Sequence, residues 1–153
     1  IHRAENTDSI EKIREILVAF EQLDAPVIFP VHPRTKGLVG KLHGENQYRN
    51  IIFVQPMGYL DMLYFVKHAK KVVTDSGGMQ KETYILDTPC VTVREQTEWV
   101  ETLIGNHNIL AEPNTADILE KVTNTVIDLK NKQNYYGMGH AAEKICNLIG
   151  EEK

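Results

Sequence analysis

Apolar residues in this chain follow two rhythms. Short continuous runs recur as Pro26-Val-Ile-Phe-Pro-Val31, Ile51-Ile-Phe-Val54, Val72-Val-Thr74, Val91-Thr-Val93 and Asn108-Ile-Leu110. Between them the apolar positions fall at helical spacing. Ile10, Ile13, Ile16, Leu17 and Phe20 form one stripe, predicting a helix over residues 8–23. Leu60, Leu63 and Val66 form another, within residues 59–69. A third, of Ile118, Leu119, Val122, Val126 and Leu129, follows a predicted cap at Thr115. Asp8 and Glu11 have the spacing of a capping box. Shorter helices are expected after His32-Pro-Arg-Thr35, running to Lys41, from Ser76-Gly-Gly78 to about Leu86, and from His140 to about Ile149.

Strands that read as continuous apolar runs are buried on both faces. The β-α alternation therefore predicts an α/β domain, residues 1–153, with a parallel sheet covered by helices on both sides. In such a sheet a ligand lies beyond the carboxyl ends of the strands. The informative loops are residues 2–6, 32–35, 55–59, 75–78 and 94–101.

Composition narrows the function classes. Of 153 residues, 42% are hydrophobic and 25% charged, the balance of a globular domain. A formal charge of −4 gives no general reason to bind nucleic acid, and no apolar run approaches the ~20 residues of a membrane span. Neither a nucleic acid nor a membrane is expected as a partner. Cys90 and Cys146 lack metal spacing and read as small buried residues of a reducing compartment. His43, His68, His107 and His140 have no ligand spacing and read as surface or helix-end residues, so no metal is expected. The chain opens Ile-His-Arg with neither Met nor signal peptide, which reads as a fragment of a cytoplasmic protein beginning inside a strand.

The strongest chemical signal is Val73-Thr-Asp-Ser-Gly-Gly-Met-Gln-Lys-Glu82. A strand ends, a Ser-Gly-Gly turn follows and a helix begins. Ser76, Gly77 and Gly78 let the backbone approach an anion, which the free N–H groups and dipole of the helix start favour. Glu82, about one turn on, suits ribose hydroxyls better than phosphate. An ordinary capped turn with an exposed Glu is the competing reading of the same pattern. His2 stands at a strand end on the ligand edge, beside Arg3 and Glu5, and can bind a diphosphate oxygen or move a proton. His32 and Arg34 follow the next strand; a plain proline turn explains them equally well. The loop Gln55-Pro-Met-Gly-Tyr59 offers backbone amides to a base edge, or simply packs. Arg94 offers a fork for phosphate, and Trp99 a surface for a sugar, a lobe interface or the core.

Six segments in order carry a family resemblance: His2-Arg-Ala-Glu-Asn6, His32-Pro-Arg-Thr35, Thr74-Asp-Ser-Gly-Gly-Met-Gln80 with Glu82, Pro89-Cys-Val with Arg94, Thr97-Glu98, and Asn134-Tyr-Tyr-Gly-Met-Gly139. The chain resembles the C-terminal half of non-hydrolysing UDP-N-acetylglucosamine 2-epimerases over essentially its whole length. The resemblance implies a Rossmann-like, three-layer lobe of a GT-B-type two-domain protein. It implies a UDP-sugar substrate, no added cofactor, and a homodimer for the full-length protein. UDP-GlcNAc and UDP-ManNAc are interconverted in that family by elimination of UDP to a 2-acetamidoglucal and re-addition. The proton-transferring carboxylates belong to the N-terminal lobe, so this chain alone is expected to be inactive. Ser76, Gly77, Gly78 and Glu82 carry over as diphosphate and ribose ligands, and His2 as the catalytic histidine beside the departing diphosphate. Many members have Arg where Trp99 stands and a second Arg where Ala4 stands, so the exact sugar and any substrate-driven allostery do not carry over. Alternatives are an epimerase of another UDP-2-acetamido sugar, a UDP-releasing hydrolytic epimerase, the donor lobe of a GT-B glycosyltransferase, and a non-catalytic α/β module.

Overall fold

The computed structural model describes residues 1–151. The apolar runs form strands β1 (Val27–Pro30), β2 (Ile51–Val54), β3 (Val72–Thr74), β4 (Cys90–Val93) and β5 (Asn108–Ala111). All pairings are parallel: Val27 lies opposite Ile51, Val72 opposite Cys90, and Cys90 opposite Asn108. The expected single sheet is two hydrogen-bonded sets among the described residues, β1-β2 and β3-β4-β5. Residues 1–3 stand apart from both ladders, so the strand expected to end at His2 is an unpaired extended segment.

Helices α1 (Ala4–Thr7), α2 (Ile10–Glu21), α3 (Pro33–Glu45), α4 (Tyr59–His68), α5 (Gly77–Ile85), α6 (Thr115–Asn124) and α7 (Ala141–Glu151) complete the α/β alternation. One core spans both strand sets. Ile13, Ile16, Leu17 and Phe20 of α2 meet Phe29 of β1, Leu42 of α3, Ile51 of β2, Val91 and Val93 of β4, and Ile118 of α6. Burying each such side chain contributes roughly 1.5–3 kcal/mol, which is why the stripe positions coincide with the core.

Local chemistry shifts several expected boundaries. Ser9, not Asp8, caps α2, its hydroxyl accepting from the Lys12 N–H at 3.4 Å. Asp8 instead pairs with Arg34 at 3.1 Å. Asn114, not Thr115, caps α6, accepting from the Asp117 N–H at 2.9 Å. That helix ends at Asn124, leaving Val126 exposed outside the stripe. One-turn α1 and the 3₁₀ segment Val100–Asn106 carry no periodic signal. The latter is broken at Gly105, whose φ of 70° is the left-handed region glycine adopts freely. Cys90 is buried as expected, and burial pushes its thiol up to about 11, whereas Cys146 is exposed on α7. His107, read as a surface residue, is buried against Tyr84. Among the described residues no helix is long and apolar enough to cross a membrane.

Candidate functional site

Strand β3 delivers Asp75 and Ser76 to the carboxyl edge, and α5 starts there. The Ser76 N–H donates to Thr74 Oγ1 at 3.1 Å, and Ser76 Oγ accepts from the Met79 N–H at 3.4 Å. The first bond that closes the helix runs from the Gln80 N–H to the Ser76 carbonyl, 3.2 Å. The N–H groups of Gly77 and Gly78, at the first two helical positions, have no acceptor within the helix. Together with the Ser76 hydroxyl proton they form a set of donors that suits an anion. Gly77 is buried beneath Trp99: a Cβ there would lie 2.9 Å from the indole Nε1. The glycine is thus required by close approach. Glu82, half-buried one turn along α5, makes no side-chain hydrogen bond or ion pair among the described residues.

His2 reaches this turn through Asp75. The Asp75 carboxylate, with 0% exposure, accepts from the His2 N–H at 2.9 and 3.0 Å, from the Arg3 N–H at 2.9 Å and from Asn6 Nδ2 at 3.1 Å. His2 Nδ1 lies 3.2 Å from Asp75 Oδ1. Burial alone would raise the Asp75 pKa. The Ile1 amino group and the hydrogen bonds from Arg3, Asn6 and His2 outweigh burial and hold the carboxyl below its usual range. The His2 imidazole is shifted down, first by burial, against the opposing pull of Asp75. A carboxylate this near Nδ1 electrostatically favours the proton on that nitrogen, which leaves the Nε2 lone pair or its proton for a ligand. Asp75 and Asn6 were missed as site residues. Both lie inside the motifs, but as strand-end and helix residues they resemble ordinary turn polars.

The structure brings His32 next to His2, with ring centroids 4.9 Å apart, and its Nδ1 accepts from the Arg34 N–H at 3.1 Å. His32 is therefore both the cap of α3 and an exposed neighbour of the anion site. Arg94, expected to offer its fork to phosphate, makes its side-chain bonds here to two carboxylates. Its Nε donates to Glu5 at 2.8 Å, and its terminal nitrogens donate to the two Glu98 oxygens at 2.9 and 3.1 Å. The fork offered for phosphate is occupied by carboxylates, and the Glu98 carboxyl is held down to about 2, chiefly by its hydrogen bonds from Arg94. Arg94 ties α1 to the loop after β4. Lys81 Nζ sits over the Trp99 ring, 3.9 Å from its centroid. The loop after β2 leads into α4 with Tyr59 and Leu60 exposed, leaving an apolar surface on the same edge.

Behind the anion site lies a buried polar network. Gln80 of α5 accepts through Oε1 from Thr97 Oγ1 at 2.5 Å and from Asn108 Nδ2 at 3.0 Å. Asn108 of β5 also donates to Thr102 Oγ1 at 3.1 Å and accepts from Thr92 Oγ1 of β4 at 2.7 Å. Asn6 Nδ2 adds a bond to the Val93 carbonyl, 3.0 Å.

The family model for UDP-N-acetylglucosamine 2-epimerase matches residues 1–150. A Methanococcus maripaludis protein named UDP-N-acetylglucosamine 2-epimerase homolog is 41% identical over 152 residues, 97% of this chain and 43% of the relative. A Pseudomonas aeruginosa protein named UDP-2,3-diacetamido-2,3-dideoxy-D-glucuronate 2-epimerase is 35% identical over 155 residues, 99% of this chain and 43% of the relative. The crystal structure of Methanocaldococcus jannaschii UDP-GlcNAc 2-epimerase in complex with UDP-GlcNAc and UDP superposes with a TM-score of 0.86 at 34% identity. It covers 98% of this chain and 43% of that one. The chain thus spans less than half the length of these relatives. It belongs to the UDP-N-acetylglucosamine 2-epimerase family, and its parallel α/β fold is the Rossmann-like lobe that the resemblance implies.

Proposed function

We propose that this lobe holds the UDP of a UDP-2-acetamido sugar and, together with a second lobe, serves cofactor-independent inversion at C2 of that sugar. The observation that carries the reading is the convergence through Asp75 of His2 and the open start of α5. The Gly77 and Gly78 N–H groups and the Ser76 hydroxyl donate to the diphosphate. Glu82 accepts from ribose hydroxyls, the arrangement that separates phosphate from sugar in nucleotide sites. The loop at residues 55–58 faces the base.

The chemistry follows the family reaction. The bond between C1 and the diphosphate oxygen breaks as the C2 proton leaves, giving a 2-acetamidoglucal and UDP. A proton then adds to the opposite face of C2, and UDP re-forms the bond at C1. In this lobe His2, protonated from solvent when the diphosphate binds, donates its Nε2–H to the diphosphate oxygen that gains charge as the C1–O bond breaks. Asp75 supports the resulting imidazolium. The groups that move the C2 proton belong to the second lobe. The UDP-GlcNAc complex of the M. jannaschii relative supports UDP-GlcNAc as substrate.

A second reading shares the mechanism but changes the sugar. Trp99 covers Gly77 and carries Lys81 on its face, which adds a cation and an aromatic wall beside the site. With the P. aeruginosa relative named for a glucuronate substrate, this favours an acidic UDP-2-acetamido sugar. Calorimetric titration of the chain with UDP, with AMP and the Glu82→Ala variant as controls, tests the nucleotide site. Uridine-selective binding lost in the variant is expected; equal binding of AMP overturns the assignment. Turnover of UDP-GlcNAc against UDP-N-acetylglucosaminuronate by the full-length protein separates the two sugars.

A further inference from the structure

The diphosphate needs a cationic partner, and the arginine expected to supply it is occupied. Arg94 is 9% exposed and spends its fork on Glu5 and Glu98. Arg34 is engaged with Thr7 and Asp8, and Lys81 is held on the Trp99 ring. Arg3 differs. Its backbone N–H is fixed by Asp75 at 2.9 Å, so the residue is anchored where it enters the site. Its side chain is exposed and makes no hydrogen bond or ion pair among the described residues. Its Nη2 lies 3.7 Å from the point where a Cβ on Gly77 would stand, beside the donors that open α5.

We infer that Arg3 is the diphosphate-binding guanidinium of this lobe, closing over the anion held by Gly77 and Gly78, and that Arg94 is a positioning residue that braces α1 beneath it. The inference rests on the UDP reading above and deepens it. A planar fork suits two oxygens of a diphosphate better than an ammonium does. The shared anchor explains the arrangement: one buried carboxylate fixes the backbone of both His2 and Arg3, so the imidazole and the guanidinium arrive at the same anion together.

The test compares the unmodified chain with Arg3→Gln and Arg3→Lys by calorimetric titration with UDP and with uridine, alongside thermal melts. The side chain of Arg3 is unpartnered, so Arg3→Gln should melt with the parent. Loss of a charge-assisted bond should weaken UDP about 10- to 100-fold and leave uridine unchanged, with Arg3→Lys falling between. Binding of UDP by the parent with a change in Arg3→Gln smaller than twofold overturns the inference and leaves the UDP reading intact. Equal losses for UDP and uridine overturn it as well, since the phosphate is then not what Arg3 touches. No binding of UDP by the parent chain overturns both.

Discussion

The His2 imidazole and the Asp75 carboxylate stand 3.2 Å apart, and Asp75 is sealed from solvent. A carboxylate 3.2 Å from Nδ1 favours the proton on that nitrogen, and burial shifts the free imidazole down, toward its neutral form. Bringing a diphosphate to Nε2 reverses the balance, because the anion favours imidazolium.

UDP binding should therefore take up a proton. His2 titrates below 6.5 when free and higher when bound, so affinity should rise as the pH falls through the window between the two values. Titration in buffers of different ionisation enthalpy near pH 6.5 should report the uptake. His2→Gln should abolish it and flatten the profile. An identical profile in that variant would remove His2 from the diphosphate.

Asp75→Ala should be costly to the fold. Three N–H donors lose their acceptor, and each bond to a charged group is worth about 1.5–3 kcal/mol before relaxation. A loss above about 3 kcal/mol in urea denaturation is expected. The native Asp75 pKa lies below 3.8, so its contribution is complete above pH 3.8 and fades as the pH falls through the lower native value. Asp75→Asn should lose that acid-side dependence.

Glu82→Gln should discriminate sugars. If the carboxylate accepts from ribose hydroxyls, the parent should prefer UDP to 2′-deoxy-UDP by about tenfold, one good hydrogen bond. The variant should narrow that preference without altering the melt.

Gly77→Ala places a methyl group 2.9 Å from the Trp99 indole nitrogen. Overpacking of this kind costs about 1–3 kcal/mol, and the displaced indole should also weaken UDP binding. The double variant Gly77→Ala with Trp99→Ala should recover stability relative to Gly77→Ala, because the clash is removed. Additive losses in a double-mutant cycle would show that the two residues do not press on each other.

The strands were legible as unbroken apolar runs, but only β4, Cys90–Val93, is buried along its whole length, whereas Ile28 of β1 and Ile52 of β2 leave one face exposed. The capped start of α5 was legible because Ser76-Gly-Gly78 combines a cap with two residues that lack side-chain bulk. The partition of charge was not legible. Nothing in the sequence says that Arg94 meets Glu5, 89 positions away, or that Asp75 gathers His2, Arg3 and Asn6. Such pairings depend on three-dimensional closure, not local period. The capping errors at Asp8 and Thr115 have the same root: neighbouring polar residues compete for one role, and a distant partner decides. Asp8 goes to Arg34, and Thr115 donates to Glu15 at 2.6 Å.

The bonds from Gln80 to Thr97 and Asn108 have a consequence for accuracy of pointing. Apolar packing tolerates a helix rolling a few degrees about its long axis, since one methyl group replaces another. An amide oxygen held by two donors does not tolerate it, because hydrogen bonds weaken steeply off angle. Helix α5 is therefore keyed like a shaft, one turn below its open end. The amides of Gly77 and Gly78 hold a constant bearing as thermal motion loosens the surrounding hydrocarbon. On the proposed function, the nucleotide would then meet a fixed target and need not organise one.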